Sequence, residues 1–143
     1  QLLHFPASAV RPQGAAAGGM AGIKLGADAR VVHFTALAPD EVERAIVATV
    51  AAGGETLMGT DPGSAKVSAF AEFPGKGRAT GGVRAQRFLK GESELSVAWV
   101  GPEPALAVGT DGSTRTLPEP GAKRDASGAP LEKVVGAIGR RVG

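Results

Sequence analysis

The stretch Lys76-Gly77-Arg78-Ala79-Thr80-Gly81-Gly82-Val83-Arg84-Ala85-Gln86-Arg87-Phe88-Leu89-Lys90 carries five cations and no acid, in a chain whose formal net charge is only +2. Its three glycines interrupt it where regular structure would otherwise sequester the side chains. The same frame occurs earlier, in Gly14-Ala15-Ala16-Ala17-Gly18-Gly19-Met20-Ala21-Gly22-Ile23-Lys24-Leu25. Gly14, Gly18 and Gly19 fall on Gly77, Gly81 and Gly82 at a constant offset of 63, and Leu25 falls on Phe88. The chain therefore reads as a repeat protein in which one copy concentrates positive charge on a glycine-rich loop.

Outward from that loop, short strand signals alternate with turns. Thr56-Leu57-Met58-Gly59-Thr60, a turn at Asp61-Pro62-Gly63, and Ala65-Lys66-Val67-Ser68-Ala69-Phe70 read as a hairpin. Ala105-Leu106-Ala107-Val108-Gly109-Thr110, a turn at Asp111-Gly112, and Ser113-Thr114-Arg115-Thr116-Leu117 repeat it, with Gly59-Thr60-Asp61 mapping on Gly109-Thr110-Asp111. Leu95-Ser96-Val97-Ala98-Trp99-Val100 reads as a strand equivalent to Arg30-Val31-Val32-His33-Phe34-Thr35-Ala36-Leu37, which Pro39 closes. Trp99 and Phe34 are then core residues in corresponding strands. Val42, Ala45, Ile46, Thr49 and Val50 make a helical stripe, but the β-branched run Ile46-Val47-Ala48-Thr49-Val50 favours a strand. Residues 1–5 read as a strand tail whose partner precedes the sequence, and residues 6–22 as irregular. Lys123-Arg124-Asp125-Ala126-Ser127-Gly128 looks like a decayed third loop, followed by Lys133-Val134-Val135-Gly136-Ala137-Ile138.

Periods of roughly 40 to 60 residues with several strands each predict propeller-like blades. The expected architecture is all-β: four-stranded antiparallel blades in a single domain over 1–143, with repeats near 1–55, 56–104 and 105–143. About two and a half repeats are too few to close most rings, so the arrangement should be partial or open.

Composition agrees with that class. The 22 glycines and 10 prolines make up about 22 percent of 143 residues, just below the range that signals disorder. A 43 percent hydrophobic content in β-branched runs supplies a core built from Val, Ala, Leu and Ile, since aromatic residues amount to 4 percent. With no cysteine, disulfides, thiolate metal sites and cysteine nucleophiles are excluded, which suits a cytoplasmic protein. No apolar run approaches a membrane span. The start, Gln1-Leu2-Leu3-His4-Phe5-Pro6, has neither a signal-peptide charge pattern nor an initiating Met, so a fragment of a longer chain is expected.

Cations presented together on a glycine-rich loop suit phosphate contacts, to which backbone N–H groups in the turns can add. Lys76, Arg78 and Arg84 are the leading candidates, with Arg87 and Lys90 next. If residues 83–88 alternate as a strand, only part of this charge shares a face. Lys66 and Arg115 follow the two hairpin turns, Lys123 and Arg124 fill the third loop, and Lys24 and Arg11 extend the track weakly into the first repeat. Ala15 stands where the second copy has Arg78, and Asp125 subtracts from the third loop. A solvated charged face that binds nothing is the plain alternative.

His4 and His33 are far apart in sequence with no thiol partners, and read as strand or surface histidines. Asp61 and Asp111 read as turn formers bonding their own backbone. Residues 14–19 lack the Gly-Lys-Ser/Thr ending of a phosphate-binding loop. Aromatic residues stand only at the borders of the basic loop, as Phe73 and Phe88, which argues for duplex rather than stacked single-stranded nucleic acid. No catalytic residue, metal ligand or cofactor site is assigned.

The run Ala65-Lys66-Val67-Ser68…Phe73-Pro74-Gly75-Lys76-Gly77-Arg78-Ala79-Thr80-Gly81-Gly82-Val83-Arg84, together with Gly18-Gly19-Met20-Ala21-Gly22-Ile23-Lys24-Leu25, resembles the blades of a known family. It is similar to the C-terminal domain of the A subunit of bacterial type IIA topoisomerases, over nearly the whole chain. The Ala, Gly and Arg usage resembles actinobacterial members. The resemblance implies a β-pinwheel with duplex DNA around a basic rim, held by its phosphate backbone and bent. It also implies partnership with the catalytic part of the same subunit and with an ATPase subunit, where ATP and Mg2+ would be used, in the bacterial cytoplasm at the nucleoid.

Gyrase A subunits carry a Gln-Arg-Arg-Gly-Gly-Lys-Gly box. The nearest match here, Gln13-Gly14-Ala15-Ala16-Ala17-Gly18-Gly19, has no arginine, which favours topoisomerase IV over gyrase. The family cuts DNA with a tyrosine, and this chain contains none, so it cannot itself form that bond. A DNA-bending domain of a topoisomerase IV-like A subunit is the reading; a gyrase wrapping domain and a protein-interaction module without DNA affinity are the alternatives.

Overall fold

The computed structural model describes residues 1–54 and 60–141. Among the described residues seven strands form two antiparallel sheets: β1 (Ala45–Ala52), β2 (Ser64–Ala69), β3 (Glu94–Pro102), β4 (Leu106–Val108), β5 (Thr114–Arg115), β6 (Ala129–Pro130) and β7 (Ala137–Gly139). The larger sheet runs β3-β1-β2-β6 and the smaller β5-β4-β7, and neither closes on itself. Helical geometry among the described residues is confined to three single 3-10 turns at Ala7–Ala9, Val42–Arg44 and Phe70–Glu72. No helix there is long and apolar enough to cross a membrane.

β1 is a strand, and every one of its eight residues is buried. A helix would have buried one stripe of this segment; here neighbours cover both faces. β1 pairs with β2 from Ile46↔Ala69 to Ala51↔Ser64 and with β3 from Ala45↔Pro102 to Ala52↔Glu94, with a bulge at Val50/Ala51. Strand alternation sends Ile46, Ala48 and Val50 to one side. There they pack with Ala65, Val67 and Trp99 against Ala107, Leu117, Val135 and Ile138 of the C-terminal part. Val47 points to the other side, against Phe73, Ala85, Leu2 and Val83.

That second face is inlaid with polar groups. Thr49, Ser64, Lys66, Ser68 and Gln86 are all at most 5% exposed. In β2 the polar Ser64, Lys66 and Ser68 alternate strictly with Ala65, Val67 and Ala69.

Several expectations change. β2 pairs with β1, while residues 56–59 of the expected first hairpin arm lie outside the described residues. The carboxylate of Asp61 spans the connection, accepting the N–H groups of Gly53 and Gly63 at 2.9 Å each. The second hairpin is formed as read, with Ala107↔Arg115 and Val108↔Thr114. Asp111 accepts the N–H of Ser113 at 3.0 Å, the same two-residue reach that joins Asp61 to Gly63, so both aspartates form turns.

Segment 30–37 is not a strand. It has no ladder partner among the described residues, and it is tied to the sheet through the N–H of Val100, which donates to Nε2 of His33 at 3.2 Å. Phe34, expected in the core, is 88% exposed. Residues with strand propensity stay irregular when no edge supplies a run of backbone partners. Leu2 bridges Val83, so its partner lies later in the chain rather than before it.

Candidate nucleic-acid interface

Loop 76–90 is not a strand either, and its course is determined by three other segments. On its first side, the N–H of Lys76 donates to the carbonyl of His4 at 3.2 Å and that of Ala79 to Gly22 at 2.5 Å. Lys24 N–H returns to the carbonyl of Thr80 at 2.9 Å, and Nη1 of Arg78 donates to the carbonyl of Ala21 at 2.7 Å. The first glycine loop therefore lies against its own copy, with Lys24 at Thr80 and Ala21 at Arg78.

In the middle, Leu2 and Val83 exchange N–H···O bonds of 2.8 and 2.9 Å. Gly82 makes this approach possible: its φ is +71°, and an added Cβ would stand 2.2 Å from the carbonyl oxygen of Leu2. Its equivalent Gly19 has φ +82°. The offset of 63 thus has a conformational counterpart.

On the far side, Arg87 N–H donates to the carbonyl of Ala126 at 3.0 Å, and Nη1 of Arg124 reaches the carbonyl of Arg84 at 3.3 Å. The chain does not alternate here. Ala85 and Gln86 are both buried, whereas Arg84 and Arg87 are both exposed. These two arginines line one shallow groove of about 390 Å³ with Gln1, Gln86, Phe88 and Leu95. The exposed charge of this half therefore shares a surface, where strict alternation would have divided it.

The expected cations separate into groups. Lys76, Lys24, Lys90 and Arg11 are exposed and in no ion pair among the described residues. Arg87 stands 3.8 Å from Asp125, with both side chains more than half exposed, a contact worth well under about 1 kcal/mol. Lys123 is exposed and Arg124 half-buried, next to Arg84 through the hydrogen bond above.

Two candidates are held by the protein's own acceptors, one buried and one half-buried. Lys66 is 2% exposed; its ammonium donates to the carbonyl of Lys123 at 3.0 Å and to that of Arg124, and sits 6.0 Å from the ring centre of Phe73. Burial lowers its pKa to about 8, against the opposing pull of Asp125. Strand alternation puts this side chain on the face of β2 that loop 123–127 covers. The Arg115 side chain is 12% exposed and held by Asp111 at 3.0 Å and, through Nε, by the carbonyl of Val134 at 2.9 Å. The Ser113 hydroxyl and N–H, with Arg115, hold the Asp111 carboxyl down to about 2.

The polar layer beneath the loop was missed in the sequence, although its signal was present. Small polar residues at every second position of a strand announce a polar face. Gln86 donates to the carbonyl of Ser64 at 3.3 Å and to its hydroxyl at 3.0 Å, and Ser64 donates to Glu92 at 2.5 Å. His4, read as a plain strand or surface histidine, is half-buried, its Nε2 2.8 Å from the carbonyl of Phe73.

The sequence pattern of the DNA gyrase C-terminal domain, beta-propeller, matches residues 1–37 and 55–96. Over 98 residues, 68% of the chain, the sequence is 37% identical to the topoisomerase subunit TopoM of Mycolicibacterium smegmatis. The chain spans 12% of that relative's length.

Proposed function

The chain belongs to the DNA gyrase C-terminal domain family, and from that premise we propose that it bends duplex DNA through its phosphate backbone for a topoisomerase IV-like enzyme. The observation that carries this reading is the junction of loop 76–90 with loop 123–127. There Arg124 reaches Arg84 and Arg87 stands by Asp125, with Lys123 exposed on the same loop; Lys76 and Arg78 lie at the other end of loop 76–90, where Lys24 of the first glycine loop joins it at Thr80. These groups are guanidinium and ammonium ions, with a single ring, Phe88, lining the groove of Arg84 and Arg87, a chemistry suited to phosphates more than to bases. A duplex that engages both ends of the loop at once gains phosphate contacts by bending toward them.

The domain itself is non-catalytic in this reading. Strand cleavage, ATP and Mg2+ belong to other parts of the enzyme, and the partners are the catalytic part of the same subunit and an ATPase subunit, at the bacterial nucleoid. Topoisomerase IV-like is preferred to gyrase because residues 13–19 lack the arginines of the gyrase box. The exposed Val31, Val32 and Phe34 favour, as a second reading, docking to another protein.

Titration of a duplex across a salt series tests the first reading. Log K should fall linearly with log salt, and Arg84→Ala/Arg87→Ala should reduce the slope by roughly 0.9 for each phosphate no longer neutralised. Sealing a nicked circle in the presence of the domain separates the two enzyme types. Bending without wrapping leaves the linking number unchanged; a shift in linking number would assign a gyrase-like wrap.

A further inference from the structure

We propose that Lys66 is a positioning residue for DNA binding: from beneath the surface it holds loop 123–127 so that Lys123 and Arg124 join Arg84 and Arg87. This rests on the DNA-binding reading above and assigns a cause to the surface it uses.

Three observations carry it. The carbonyls of two successive residues, Lys123 and Arg124, converge on one ammonium, and an ammonium has three N–H donors to satisfy them. Lys66 comes from the middle of β2, a strand locked to β1 over six residue pairs, so the anchor is rigid. The loop's other ties to the glycine loop run through the exposed Arg84 and Arg87: Arg87 N–H to Ala126 with the Arg87↔Ser127 bridge, the Arg124 guanidinium to the carbonyl of Arg84, and the solvent-exposed Arg87–Asp125 ion pair. Remove the ammonium and two carbonyls lose their donor, a loss that undocking into water relieves. Asp125 and Glu72 face the ammonium with opposite charge and Arg124 with like charge, so its charge is only partly balanced locally. A buried lysine held this way contributes to phosphate binding without contacting a phosphate.

The test is a thermodynamic cycle in the 143-residue chain, using duplex binding across salt. Lys66→Met keeps most of the length of the side chain and removes its donors. Its salt slope should fall by about as much as that of Lys123→Ala/Arg124→Ala, roughly two phosphate contacts. Adding Lys66→Met to that double variant should change the slope little. Hydrogen exchange should show Arg87 N–H losing protection in Lys66→Met while the amides of β1 keep theirs. Should Lys66→Met not fold, Lys66→Gln, which retains a donor for one carbonyl, should give an intermediate slope.

A folded Lys66→Met with the wild-type slope overturns the proposal. So does a loss that adds in full to that of the double variant, because Lys66 would then act independently of loop 123–127. Wild-type protein with no salt-dependent binding would instead overturn the DNA reading itself, and this proposal with it.

Discussion

Gly19 and Gly82 hold equivalent places in the two glycine loops and both have left-handed backbones, yet their surroundings differ. A Cβ on Gly19 would meet open space; on Gly82 it would meet the backbone of Leu2 at 2.2 Å. Gly19→Ala should cost about 1 kcal/mol or somewhat more from the left-handed conformation alone. Gly82→Ala carries that cost plus the loss of the Leu2–Val83 bridge, so its urea midpoint should fall clearly further. Equal midpoints would mean that the bridge contributes nothing. Lys66 gives a second test at this scale. With its pKa lowered from 10.5 to about 8, the unfolded chain binds the extra proton between those values. Stability should therefore rise with pH from about 8 to 10.5, and below 8 the full burial cost is present. Measured against Lys66→Met by Trp99 fluorescence, wild type should gain over that window; parallel curves would show an ammonium better solvated than its burial implies.

At the scale of elements, β3 and segment 30–37 carry similar sequences and have different fates. Trp99 lies in the core cluster on β1, whereas Phe34 projects into water. Trp99→Ala should cost about 3–5 kcal/mol and Phe34→Ala no more than about 0.5, read by circular dichroism in urea. A large loss at Phe34 would mean that the segment docks in solution. Its tie through His33 is sensitive to acid. Partial burial lowers the pKa of the ring, and only an unprotonated Nε2 can accept the N–H of Val100. The contribution is complete above about pH 6.5 and declines as pH falls below it. Exchange of the Val100 amide should quicken from about pH 7 to about pH 5 beyond its intrinsic rate, and His33→Gln, which keeps an acceptor, should remove that dependence.

Two antiparallel sheets bury their small aliphatic residues between them and leave loop 76–90 across the outer, polar face of β1 and β2, with the first glycine loop laid on that loop. A net charge of +2 provides little long-range attraction, so affinity must come from local clusters rather than the overall field. Arg115 separates the two contributions. Arg115→Ala should lower stability, because Asp111 and the carbonyl of Val134 lose a partner, while leaving the salt slope of duplex binding unchanged. Arg84→Ala should do the reverse. A reduced slope in Arg115→Ala would return that residue to the interface.

What the sequence determined by itself was local. The all-β class, the strand at β1, the second hairpin, the turn roles of Asp61 and Asp111 and the shared glycine frame depend on propensity, alternation and turn chemistry within a few residues. The candidate surface was legible in the same way, as a cluster of cations on glycine-broken loops. Tertiary structure alone decided which cations face outward and which strand partners form. Lys66 lies inside because loop 123–127, some 57 residues away, covers it; Phe34 lies outside because none of the described segments covers it. Both are strand-like residues in sequence. Burial belongs to the long-range neighbour as much as to the residue, and no pattern along one strand specifies what will be laid across it.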